Sequence, residues 1–115
     1  MKRFAGMVFA VLAASSAPCG ADTAKQFLQL YNSEDGQDLA VVKITSMEAG
    51  VRRANEYLKA HNQTPLYCQP PQLALTGSQI ADMILRAAEE KDSRVEAMDV
   101  PSALLFVLQK TFPCP

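Results

Sequence analysis

A short apolar run behind two basic residues decides how much of this chain is left to fold. Lys2 and Arg3 form a positive N-terminal region, and Phe4 to Ala14 carries no charge. That run is shorter than the roughly 20 residues of a membrane-spanning helix. Small residues follow it, in Ser15-Ser16-Ala17-Pro18-Cys19-Gly20-Ala21. The order is that of a cleavable secretory signal peptide. The expected cut follows Ala21, with Cys19 and Ala21 as the small residues of the peptidase site. A cut after Ala17 would place Pro18 directly beyond it. Cys19 leaves a lipid anchor open as a second outcome, although a lipoprotein cysteine normally follows a small residue and here follows Pro18. The expected working protein is therefore residues 22–115, exported to the periplasm.

Those 94 residues suffice for one hydrophobic core and no second domain. They keep nine basic and twelve acidic side chains, a net charge of −3. A mildly acidic domain disfavours nucleic acid as a partner and is compatible with a basic protein partner. Cys68 and Cys114 remain after cleavage. In an oxidising compartment an even pair reads as one disulfide, a staple that a domain of this size benefits from. The rival reading, a redox or metal pair, lacks a CxxC motif.

Apolar spacing predicts four helices. Phe27, Leu30 and Tyr31 share one face of a helix over 23–31, which Asp22 or Thr23 can cap. Asn32 to Gly36 is a turn cluster. Ile44, Met47, Val51, Ala54 and Leu58 repeat by threes and fours, the stripe of a long core-facing helix over 38–60. Gly50 interrupts it, either to admit a close neighbour or as simple tolerance. Pro65, Pro70 and Pro71 make 61–75 a loop. Thr76 and Gln79 read as a capping box that opens a third helix over 77–90, with Ile80, Met83, Ile84, Ala87 and Ala88 inward. Residues 91–99 form a polar connection. Asp99 and Pro101 start a fourth helix over 101–111, with Leu104, Leu105, Leu108 and Phe112 inward. No convincing alternating strand appears, so the expected fold is all-α, a small four- to five-helix bundle stapled by one disulfide.

Two local patterns occur together. Tyr67-Cys68 is followed by Pro70, then by Thr76 and Gln79, and the chain closes with Phe112-Pro113-Cys114. Their order and spacing, over roughly residues 47–115, resemble the Rap/Tai immunity proteins of type VI secretion, which carry an aromatic-Cys-x-Pro, a Thr-x-x-Gln and a Phe-Pro-Cys in that order. Members of that family often have further cysteines in their N-terminal half, whereas this chain has none between Asp22 and Tyr67. The resemblance implies a periplasmic helical protein, often a homodimer, that binds and inhibits a peptidoglycan amidase toxin delivered by a neighbouring cell. In the best understood type a loop between helices enters the toxin's catalytic groove. The comparable segment here is Glu89 to Asp99, with Glu90, Asp92, Ser93, Arg94 and Glu96 as its candidate toxin-binding residues and Val95 and Met98 as added contact surface. The bland alternative is a solvated connection between two helices.

Other conspicuous residues have structural readings. His61, the single histidine, ends a helix and complements its dipole there. One histidine and no nucleophile motif assemble neither a metal site nor a catalytic triad, so no enzyme activity and no cofactor are expected. Met47, Met83 and Met98 read as core or surface fill, and Tyr67 as packed beside the disulfide. A second functional class also fits, a periplasmic acid-stress chaperone. Such proteins are small, helical, exported and single-disulfide, and they expose apolar surface when their carboxylates protonate.

Overall fold

The computed structural model describes residues 22–91 and 93–115. The expected signal peptide, its cleavage site and Cys19 lie outside the described residues. Four α-helices follow in order: α1 (Ala24–Tyr31), α2 (Gln37–Ala60), α3 (Gly77–Glu89) and α4 (Val100–Thr111). A 3₁₀ turn, Val95–Ala97, sits between α3 and α4. The described residues contain no strand, only one isolated bridge between Thr23 and Asp99. The fold is thus the expected all-helical bundle with one disulfide, Cys68–Cys114.

Local chemistry sets the helix starts. Thr23 and Thr76 each accept from the backbone N–H three residues ahead. Gln26 and Gln79 reach back to the capping residues, so both helices open with a full capping box. The box at Thr76 is the expected one; that at Thr23 settles the choice between Asp22 and Thr23. Asp99 caps α4 by accepting from the Ser102 backbone N–H at 3.4 Å. Ser102, by its side chain first and then its backbone, holds the Asp99 carboxyl below the ordinary carboxylate value.

The short α1 packs against all three other helices and the 3₁₀ turn. Its Ala24, Phe27, Leu28 and Tyr31 join Ile80, Ile84, Leu104 and Leu108 in one core. Tyr31 donates to Asp82 of α3 at 3.1 Å, and burial, then that contact, raises its hydroxyl pKa. The starts of α1 and α4 are clipped side by side. Ala24 N–H donates to Met98 at 2.7 Å, and Val100 N–H donates to Asp22 at 2.9 Å. Met47, Met83 and Met98 are half-buried against the core, as fill.

Two expectations for α2 change. Ala54 faces solvent, whereas Glu48 and Asn55 are buried on the inward side. Gly50 has nothing within 4 Å of where a side chain would start, so simple tolerance is the right reading there. Gly77 is the glycine that admits a close neighbour. A Cβ on it would collide with the Thr45 hydroxyl and lie 2.9 Å from the Val41 carbonyl oxygen of α2. The pair makes a sharp expectation. Gly50→Ala stabilises by about 0.5–1 kcal/mol through helix propensity. Gly77→Ala destabilises by about 2 kcal/mol, because backbone cannot yield as a side chain can. Urea unfolding of the two single variants checks this, and equal midpoints would show that α2 and α3 are not in tight register.

Candidate functional site

Two regions could carry function. The first is the connection from Glu89 to Asp99. Glu90 is tied down by Lys110 of α4, whose Nζ lies 2.7 and 2.9 Å from its two carboxylate oxygens. The Ser93 hydroxyl accepts from the Val95 N–H at 3.2 Å. Val95 is only 2% exposed and belongs to the core. Met98 is half-buried, and the bonds at Ala24 and Val100 hold the far end. Val95 and Met98 are therefore anchors and not the contact surface expected of them. The 3₁₀ turn puts Val95 inward while leaving its neighbours out, a reversal that polar composition does not announce. Among the candidate residues Glu90, Arg94 and Glu96 are exposed and Ser93 is half-buried. Asp92 lies outside the described residues. The segment is a connection pinned at both ends and in the middle, with an exposed rim of mixed charge.

The second region is the proline-rich loop and the face of α2 beneath it. Asn55, 4% exposed, holds two consecutive residues of the loop. Its Oδ1 accepts from the Leu66 N–H at 2.6 Å and its Nδ2 donates to the Tyr67 carbonyl at 2.9 Å. From the other side Gln109 donates to the Leu66 carbonyl at 3.1 Å, and Cys68 N–H donates to Phe112 at 2.8 Å. The disulfide closes the same corner, with Cα atoms 4.9 Å apart. Residues 66–68 are thus fastened to α2 by one asparagine and to α4 by hydrogen bonds and a covalent bond.

This fastening drives Tyr67 inward to 2% exposure. Its hydroxyl has no hydrogen-bond partner among the described residues, nor has Gln69 Oε1. Leaving such buried groups unpaired costs about 1–3 kcal/mol each. Burial, then the negative charge of Glu48, raises the Tyr67 pKa. Both residues line a cavity of about 400 Å³ between α2 and the loop. Glu48, Arg52, Glu56 and Lys59 of α2 line it too. Sequence reading missed this site. Its α2 residues look like a solvated charged face, and the proline loop that roofs them is placed only by the tertiary fold.

His61 is the C-cap of α2, exposed, with Nδ1 donating to the Tyr57 carbonyl at 2.9 Å and its ring stacked on Tyr57 at 4.0 Å. That is a helix-end role, as expected. No group of three or more metal-ligating side chains occurs among the described residues. No described helix is long and apolar enough to cross a membrane. A scan against protein-family models and searches of the curated proteins and of the solved structures return no match to this chain.

Proposed function

We propose that this protein is an exported immunity protein. It binds a type VI secretion peptidoglycan amidase and occludes that enzyme's active site with the 89–99 connection. The pinned geometry of that connection carries the reading. A segment fastened at Glu90, Val95 and Met98 loses little conformational freedom when it enters a groove, and such preorganisation favours affinity. Its exposed Arg94 and Glu96 can steer encounter and fix register, while the central arginine is the residue type most suited to a buried anchor. The Rap/Tai resemblance of the Tyr67-Cys68, Thr76–Gln79 and Phe112–Cys114 patterns points the same way, and it carries the expectation of a homodimer.

Blocking a groove needs no chemistry from the inhibitor, which suits a chain without a catalytic constellation among its described residues. The test is protection. Cells exporting the amidase encoded beside this gene should survive when this protein is co-exported and lyse when it is not. Lysis despite stable export would refute the reading. With the purified pair, replacing Asp92, Arg94 and Glu96 together by alanine should weaken binding at least ~30-fold, the scale of one lost anchor. The melting temperature should move by no more than ~2 °C, since none of the three is a core residue. Unchanged affinity would place the interface on another surface.

A further inference from the structure

We propose that the cavity between α2 and the 66–75 loop is a binding site for a short peptide zwitterion, taken up amino group first. The site shares no residue with the 89–99 connection, and the proposal is independent of amidase binding.

The inner end of the cavity is short of donors. Gln69 Oε1 is buried and can only accept, and its orientation is settled because Nε2 of the same amide donates to the Leu73 carbonyl at 2.6 Å. The Tyr67 hydroxyl beside it is unpartnered among the described residues. Glu48, 7% exposed, adds a carboxylate whose one ion pair is long, 3.8 Å to Arg52 Nε. An acceptor, a hydroxyl and a carboxylate at one place are complementary to an ammonium group, which brings three donors and one positive charge. The rim has the opposite character. Arg52 and Lys59 stand on the cavity wall with their side chains largely in solvent, suited to a carboxylate at the other end of the same ligand. Between the two ends, Pro70, Pro71 and Leu75 offer apolar wall. The volume of about 400 Å³ lies within the range of small-molecule sites. A structural reading of the same charges would have Glu48, Arg52, Glu56 and Lys59 neutralise one another along α2. Only the single long pair forms among them, so the charges remain free to meet a ligand.

The probe is trialanine, titrated into the isotope-labelled protein and followed by nuclear magnetic resonance at the Gln69 side-chain amide and the Tyr67 ring. We expect saturable shifts at both, with a Kd below ~1 mM. N-acetyl-trialanine, which lacks the ammonium charge, should bind at least ~10-fold more weakly. Trialanine amide should lose only ~3-fold, because the rim charges are solvent-screened. Glu48→Gln should weaken trialanine ~10-fold. Tyr67→Phe should weaken it too, yet leave the melting temperature equal or higher, since it removes a buried unpaired hydroxyl while keeping the ring. That split separates a binding role from a packing role. Absence of saturable shifts with trialanine would overturn the proposal. Equal affinity for the acetylated peptide would overturn the amine-first mode and with it the assigned ligand class.

Discussion

Replacing Cys68 and Cys114 together by alanine should lower the unfolding free energy by about 4 kcal/mol, the chain-entropy value for a loop of this length. The two cysteines are 46 residues apart, so the bond removes much of the freedom of the unfolded chain. Native domains of this size are stable by only about 5–15 kcal/mol, and the expected fall in melting temperature is ~15–30 °C. Both cysteines are half-buried, so a reductant should produce nearly the same loss in the parent protein. Urea unfolding checks both forms, and the cross-link-free chain should show the larger m-value because its unfolded state expands. A loss below ~1 kcal/mol would mean that hydrogen bonds alone hold the corner. The consequence reaches beyond stability. The bond fixes the loop that roofs the α2 cavity, so reduction should open that cavity before it unfolds the core.

Asn55→Ala is expected to cost about 3 kcal/mol, a large effect for a residue that contributes no apolar area. The substitution strands two backbone groups, the Leu66 N–H and the Tyr67 carbonyl, each losing a partner at 2.6 and 2.9 Å respectively. Each buried orphan costs about 1–3 kcal/mol, and an alanine supplies neither donor nor acceptor. Equilibrium unfolding gives the size, and amide hydrogen exchange at Leu66 gives the mechanism, since that proton should lose protection while those of α3 keep theirs. The cost should shrink in the cysteine-free background by ~1 kcal/mol, because a loosened loop can turn its orphaned groups to water. Strict additivity would show that the asparagine and the disulfide act on separate parts of the loop.

Much of the bundle was legible because its signals are local. Thr76 and Gln79 lie one turn apart, so the capping box needs only its own residues. The spacing of Ile80, Met83, Ile84 and Ala87 records one helix face, whatever covers it. Cysteine pairing followed from a count of two, which leaves one partner each. The candidate site was less legible. Glu89 to Asp99 shows as a charged connection, but Val95, expected on the contact surface, is a core anchor because the 3₁₀ turn reverses it. The cavity was invisible in the sequence. Glu48 and Asn55 read as the polar side of α2 until Tyr67 and the proline loop lie over them.

Sequence alone determined the helices, their starts and the single covalent staple, since capping, periodicity and cysteine number act over a few residues or none. The tertiary structure decided which polar residues are buried and which glycine matters. Gly50 and Gly77 are indistinguishable by local propensity. Only the approach of α2 to α3 makes Gly77 necessary and leaves Gly50 facing open space. Likewise, Asn55 is buried because residues 66–68 are held to α4, through contacts as far as 46 residues apart in the chain. Burial is a property of pairs of distant segments, and one segment read by itself does not contain it.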